Sequence, residues 1–176
     1  HVSAHLLRGG QVGFSSGGEK HATFAALFDA SALAAKFAER FTGESDVTIY
    51  GEAYGGKCQR MSATYGPTLR FVAFDVMIGD SWLAVPHAHG FVTHMGLEFV
   101  DYALVSTDIE ALDAERDKPS TQAVRNGITE PKLREGVVLR PVHEWTDHRG
   151  NRVIAKHKRA EFSERGRCEV DLDPSR

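Results

Sequence analysis

The chain has 176 residues, of which 41% are hydrophobic, so it is long enough for one globular domain with a full core. Its formal net charge of -3 excludes the overall positive charge that is typical of many nucleic-acid-binding proteins. No apolar run approaches the length of a membrane span, and Cys58 and Cys168 match no metal or redox spacing. We therefore expect one cytoplasmic domain over residues 1–176, with reduced thiols and no membrane partner.

The chain is predicted to begin with a hairpin and a helix. Residues 2–7 and 11–15 have the pattern of strands and are separated by Arg8-Gly9-Gly10. Apolar residues recur at helical spacing from Ser31 to Phe41, with Ser31 available as the cap and Gly43 as the stop.

Three strands and a second helix are predicted next. The strands cover residues 46–50, 69–77 and 82–85, and the second is nearly all apolar, which indicates a central position in a sheet. Residues 107–116 have a helical pattern, with Asp108 and Glu110 in the first turn, where the helix dipole favours negative charge.

The last two predicted strands cover residues 132–141 and 152–158. Because hairpins are mixed with irregularly placed helices, we predict the α+β class, with two largely antiparallel sheets flanked by helices. A doubly wound parallel sheet fits this order less well.

These last strands carry a charged pattern typical of a triphosphate site. Glu135 opens the first strand, and Lys156 and Lys158 lie two apart on the second, so both lysines share one face. A polyphosphate and its metal ion need such a combination of carboxylate and cations. The alternative is a set of solvent-facing charges on edge strands. Residues 152–167 carry six basic residues against two acidic ones, which is compatible with contact to a phosphate backbone.

A second candidate is the segment from Gly51 to Cys58, which nearly satisfies the phosphate-loop pattern. Cys58 cannot supply the hydroxyl that holds magnesium, and the residues up to Gly66-Pro67 are a poor start for the required helix. Glu52 is better explained as a strand-end carboxylate that faces a ligand hydroxyl, between glycines that permit close approach.

A third candidate is Pro86-His87-Ala88-His89-Gly90, which resembles the metal-binding strand of cupin-like β-barrel enzymes. On a strand, both rings would share a face and suit zinc, iron or nickel. The third histidine would have to be His143 or His148, and nothing fixes that pairing. Surface histidines in a loop before a helix are the favoured interpretation.

Four blocks in one order carry a more specific signal: Tyr50-Gly51-Glu52, Phe71-Val72-Ala73-Phe74-Asp75, Glu135-Gly136-Val137-Val138-Leu139-Arg140 and Ala155-Lys156-His157-Lys158. In this order the chain resembles the covalent nucleotidyltransferase superfamily, which includes ATP-dependent DNA ligases, RNA ligases and capping enzymes. Gly150-Asn151-Arg152-Val153 and Glu161-Phe162-Ser163-Glu164 are similar to the RNA ligase 2 type, which includes RNA-editing ligases.

The resemblance implies an ATP-grasp-like adenylation domain that acts as a monomeric RNA ligase in RNA repair. It implies ATP and Mg²⁺ or Mn²⁺ as cofactors, and RNA, as a nicked duplex or strand ends, as the partner. A lysine would attack ATP to form lysyl-AMP, the AMP would move to an RNA 5′-phosphate, and a 3′-hydroxyl would displace it.

The resemblance also implies roles for individual residues. Glu52 would accept from the ribose hydroxyls of AMP, and Phe74 would stack on adenine. Glu135 would hold the metal ion, and Lys156 with Lys158 would neutralise the phosphates. Asp75 and Arg140 would complete the nucleotide pocket, and Arg140 replaces the usual lysine of its motif, which keeps the charge and alters the geometry.

Two departures accompany the resemblance. No lysine here has the nucleophile pattern of lysine, one residue, Asp or His, then Gly, so we expect that the chain begins just after that motif. Ser15 or Ser16 stands where the next motif carries an arginine. A catalytically inactive nucleotide- or RNA-binding relative is therefore an alternative, and a cupin-like metal enzyme is another.

Overall fold

The computed structural model describes residues 2–7, 11–17, 20–40, 45–57 and 62–160. In these ranges the strands are β1 Val2–Leu7, β2 Gln11–Ser16, β3 Val47–Tyr54, β4 Arg70–Ile78, β5 Ser81–Trp82, β6 Glu98–Phe99, β7 Gly136–Leu139 and β8 Ala155–Lys158. The helices are α1 His21–Ala25, α2 Ala30–Arg40, α3 Ser62–Tyr65, α4 Val85–His94, α5 Ile109–Arg116 and α6 Thr121–Arg125. The predictions for Arg8-Gly9-Gly10, Phe41, Gly43, both cysteines and residues 161–167 lie outside the described residues.

The described strands form two sheets, and the predicted α+β class is confirmed. The larger sheet has the order β2-β1-β3-β4-β5, with β6 also paired to β4, and the smaller sheet consists of β7 and β8. All of these pairs are antiparallel except β4 with β6. The predicted central position of the apolar strand, now β4, is correct.

Several predicted strand limits are wrong. Strand β3 continues to Tyr54, so Glu52 lies inside the strand instead of at its end. Strand β5 ends at Trp82, and Val85 begins helix α4. Strands β7 and β8 are shorter than predicted, because irregular backbone precedes each of them.

The helix caps also differ from the predictions. Helix α2 begins at Ala30, and the Asp29 side chain accepts from the Ala32 amide at 2.9 Å, so Asp29 fulfils the role predicted for Ser31. Asp108 is the N-cap of α5 and accepts from the Ala111 amide, instead of lying in the first turn. None of the helices in the described ranges is both long and apolar enough to cross a membrane.

The hydrophobic core lies between one face of the larger sheet and helices α1, α2 and α4. Ile49 of β3 and Val76 of β4 are completely buried there. Helix α4 contributes Ala88, Phe91 and Val92 at helical spacing, and its C-cap residue Met95 joins them. Neighbouring residues of a strand point to opposite faces, so Tyr50 and Asp75 point away from this core.

A bulge interrupts the pairing of β3 with β4. Tyr50 pairs with Asp75 but Gly51 pairs with Ala73, which leaves Phe74 as the extra residue. A Cβ atom at Gly51 would lie 2.3 Å from Phe71 Cζ and 2.4 Å from the Val72 carbonyl oxygen. Glycine is therefore required beside Glu52 by the close approach of β4.

We expect Gly51→Ala to lower the free energy of unfolding by about 1–3 kcal/mol, because the added methyl group overpacks a buried strand. Gly90→Ala is the matched control, since no atom lies within 4 Å of the place that its methyl group would take in helix α4. That control should raise stability by about 0.5–1 kcal/mol. Urea denaturation of both variants measures the difference, and equal effects would contradict the steric argument.

Candidate active site

The smaller sheet lies against the face of the larger sheet that points away from the core. Arg140, which follows β7, contacts Asp75 of β4 at 2.7 Å. Arg152, which precedes β8, contacts the same carboxylate at 2.8 Å. These contacts join the predicted strand pair to the face of β4 that carries Asp75. The region between Glu52 of β3 and Glu135 and Lys156 of the smaller sheet is called the cleft below.

The register of the smaller sheet places both predicted lysines on one face. Lys156 pairs with Val138 and Lys158 pairs with Gly136. Both lysines are exposed, and Val138 presents an apolar surface beside Lys156 with 57% of its area exposed. Glu135 directly precedes β7, and its carbonyl oxygen accepts from the Arg159 amide at 2.9 Å, which extends the pairing past Lys158.

Glu52, Glu135 and Lys156 come close enough to influence one another. The Glu52 side chain is exposed, yet protein atoms around its carboxyl group exclude part of the water. This burial raises the pKa of Glu52, the negative charge of Glu135 raises that pKa further, and the positive charge of Lys156 opposes the shift. The structure thus brings together three predicted residues from positions far apart in the sequence.

We expect the pKa of Glu52 to respond with opposite signs to its two neighbours. Glu135→Gln removes a negative charge and should lower that pKa, whereas Lys156→Gln removes a positive charge and should raise it. The pH titration of the Glu52 side-chain carboxyl carbon by NMR, assigned with Glu52→Gln, measures both shifts. Glu110→Gln on the exposed side of α5 is the control, and the prediction is wrong if it has the same effect.

Tyr65 is a residue of this site that the sequence interpretation did not identify. Its hydroxyl group donates to Glu135 Oε1 at 3.1 Å. Burial, followed by the charge of Glu135, raises the pKa of Tyr65, so the phenol stays protonated as a donor. No local pattern could have revealed this contact, because the two residues are 70 positions apart.

Phe74 lies at the bulge of β4 and is half-buried. Within the described ranges, Phe74 is not among the residues that form the hydrophobic core or pack against it. Arg140 Nη1 donates to the Phe74 carbonyl oxygen at 3.2 Å, which ties the bulge to the smaller sheet. Stacking of Phe74 on a base stays a prediction.

Asp75 and Arg140 lie in a largely buried ion-pair network with Glu144 and Arg152. Arg152 bonds to Asp75 and Glu144 through its guanidinium group, and this group also lies 4.0 Å above the ring of Trp82. Arg140 contacts the same two carboxylates. Burial lowers the pKa of Arg152, but its hydrogen bonds to both carboxylates outweigh this effect and raise it. The structure therefore uses Asp75 and Arg140 to join the two sheets.

The histidine candidate for a metal site is contradicted by the fold. His87 and His89 lie inside helix α4, not on a strand or in a preceding loop, and side chains two apart on a helix do not face each other. His89 packs beside Tyr102 and Phe99. In the described part of the chain, no group of three or more His, Cys, Asp or Glu residues could hold a metal ion.

The carboxylates of the cleft nevertheless fit a divalent cation that is shared with a ligand. Mg²⁺ is commonly bound by one or two carboxylates together with substrate phosphates, instead of by a complete protein cage. Glu135 has the oxygen chemistry that such a cation prefers, and Glu52 lies near enough for mutual repulsion. A polyphosphate would supply the remaining oxygens.

Comparison with known proteins gives one family. A family model described as RNA ligase matches residues 5–158, a span that contains Glu52, Phe74, Asp75, Glu135, Arg140, Lys156 and Lys158. No curated protein matches the chain.

Proposed function

Because the chain belongs to the RNA ligase family, we propose that its cleft binds ATP and transfers AMP to the 5′-phosphate of RNA. The proposal is supported by the family match and by the mutual electrostatic influence of Glu52, Glu135 and Lys156, which come from β3 and the smaller sheet. Glu52 would bind the ribose of ATP, Glu135 would bind the metal ion on the phosphates, and Lys156 would bind the phosphates directly. Their convergence supports one nucleotidyltransferase domain.

The adenosine part of the ligand is assigned to β3, β4 and β7. Phe74 would stack on the adenine, and Val138 offers an apolar surface on the face of β7 that also carries the lysines of its partner strand. Glu52 would accept from the ribose hydroxyls, because an ionised carboxylate is acceptor-only. Arg140 supports this pocket through the Phe74 carbonyl oxygen and Asp75.

The phosphate part of the ligand is assigned to β8 and to the residue that precedes β7. Lys156 and Lys158 would neutralise the α-phosphate and the departing pyrophosphate, where negative charge develops during transfer. Glu135 would hold Mg²⁺ or Mn²⁺, and such an ion supplies charge stabilisation to the phosphate oxygens.

The attacking group of the first step would be a lysine other than Lys156 and Lys158. Its ammonium group would first lose a proton to water, and its nitrogen would then form a bond to the α-phosphorus of ATP while the bond to pyrophosphate breaks. No lysine in the sequence has the spacing of the nucleophile motif. Ser15 or Ser16 stands where the next motif of the family carries an arginine, and this departure favours a second candidate function, a relative that binds nucleotide or RNA without forming lysyl-AMP.

Equilibrium binding of labelled ATP with Mn²⁺ tests the site. We expect saturable binding by the chain, and Phe74→Ala should weaken it about 5- to 150-fold, because stacking contributes about 1–3 kcal/mol per base. Phe74→Tyr keeps the ring face and should bind like the parent. The absence of ATP binding by the parent would refute the proposed function.

An adduct assay on the full-length natural protein distinguishes the two candidate functions. With labelled ATP and metal, a ligase forms a protein-AMP adduct that is stable to denaturation, whereas an inactive relative binds ATP or RNA and forms no adduct.

A further inference from the structure

The contact between Tyr65 and Glu135 joins two segments that are 70 residues apart. Tyr65 is the last residue of α3 and is half-buried, whereas Glu135 is exposed and directly precedes β7. The phenol engages Oε1 of the carboxylate at 3.1 Å. A carboxylate has about four acceptor positions on two oxygens, so this bond restricts the rotation of Glu135 and leaves Oε2 available.

The backbone of Tyr65 is hydrogen-bonded to the buried side-chain amide of Asn126. Asn126 is the C-cap of α6 and is only 9% exposed. It donates from Nδ2 to the carbonyl oxygens of Tyr65 and Thr68, both at 2.6 Å. A Cβ atom at Gly66 would lie 2.6 Å from the Asn126 carbonyl oxygen, and Gly66 has a φ of +91°. The backbone of Tyr65 is thereby fixed against α6.

The ring of Tyr65 has a second support. It meets the ring of Tyr54 edge-on, with centroids 6.4 Å apart. Tyr54 makes a similar bond of its own, since its hydroxyl donates to both oxygens of Glu98 at 2.9 Å. Glu98 is held by Arg70 and Arg125 in a separate ion-pair cluster. Of these two tyrosine–carboxylate bonds, the Tyr65 bond involves a residue assigned to the cleft chemistry.

We propose that Tyr65 is a positioning residue that orients the Glu135 carboxylate toward a divalent cation shared with the ATP phosphates. This inference rests on the proposed function. Groups that hydrogen-bond to a metal-binding carboxylate fix its orientation, and their loss typically weakens metal affinity about 10- to 100-fold. Asn126 contributes indirectly, because its hydrogen bonds fix the backbone of Tyr65.

Mn²⁺ titration of the whole chain in the presence of a non-hydrolysable ATP analogue, followed by electron paramagnetic resonance, tests the inference. Tyr65→Phe should weaken Mn²⁺ binding about 10- to 100-fold. Tyr54→Phe is the matched control, because it removes a tyrosine–carboxylate bond from the Glu98 cluster, and it should leave Mn²⁺ affinity unchanged. Urea denaturation of each variant establishes that it is folded.

A double-substitution cycle separates positioning from general damage. In a Glu135→Ala background, Tyr65→Phe should cause no further loss of Mn²⁺ affinity, since the group it orients is gone. The inference is overturned if Tyr65→Phe binds Mn²⁺ like the parent, or if the loss is equally large in the Glu135→Ala background. A parent chain that binds neither the analogue nor Mn²⁺ refutes the proposed function and the inference with it, whereas normal binding by Tyr65→Phe refutes the inference alone.

Discussion

Asp75→Ala is expected to lower the free energy of unfolding by about 3–5 kcal/mol, because it removes the carboxylate that two largely buried arginines share. Asp75 is 5% exposed, and its side chain bonds to both Arg140 and Arg152. Without Asp75, Glu144 is the carboxylate that remains paired with both guanidinium groups. Two like charges would then lie in a largely buried space with one counter-charge.

Urea denaturation measures this loss of stability. We expect the dependence of the free energy of unfolding on urea concentration to stay unchanged. Asp101→Ala is the matched control, since Asp101 pairs with Arg125 at the surface and such pairs contribute about 0–1 kcal/mol. Adding Arg152→Met to Asp75→Ala should recover part of the stability, because it removes one of the uncompensated charges. A double variant that is less stable than Asp75→Ala alone would contradict the account of the network.

Lys156→Ala is expected to reduce the rate of phosphodiester formation on RNA by about 10²–10³-fold, which is the range for removal of one group that stabilises developing charge. Lys156 shares its face of β8 with Lys158 and lies close enough to Glu52 to influence its pKa. Glu135→Ala should have an effect of similar size, because it removes the proposed metal-side carboxylate.

Sealing of RNA that already carries a 5′-linked AMP measures this effect without the lysyl-AMP step. In that reaction the 3′-hydroxyl oxygen bonds to the 5′-phosphorus as AMP leaves, so no nucleophilic lysine is required. Lys118→Ala, at an exposed lysine paired with Glu115, is the control and should seal at the parent rate. Equal rates for Lys156→Ala and the control would show that Lys156 is only a solvent-facing charge.

The sequence predicted the local parts of the site well. Alternation along a strand depends on the backbone alone, so the common face of Lys156 and Lys158 was predictable and is confirmed by the register with Val138 and Gly136. The motif order predicted the family, and the family match confirms it. The roles of Glu52, Phe74 and Glu135 in binding remain predictions.

Other features were missed because local signals competed with tertiary packing. Helix α4 contains Gly90 and three histidines, which are weak helix formers, yet Phe91 and Val92 bury its inner side against the sheet. The sequence did not reveal that Arg152 and Glu144 are the partners of Asp75 and Arg140 in the fold. The assignment of Asp75 and Arg140 to the nucleotide pocket stays a prediction.

The sequence by itself determined the α+β class, the strands that carry the charged motifs and the face that each lysine occupies, because these follow from backbone periodicity over a few residues. Only the tertiary structure decided which charges meet. Asp75 and Arg152 are separated by 77 positions, and Tyr65 and Glu135 by 70. Pairings at such separations depend on how the two sheets pack, and a charge pattern along the chain does not contain that information.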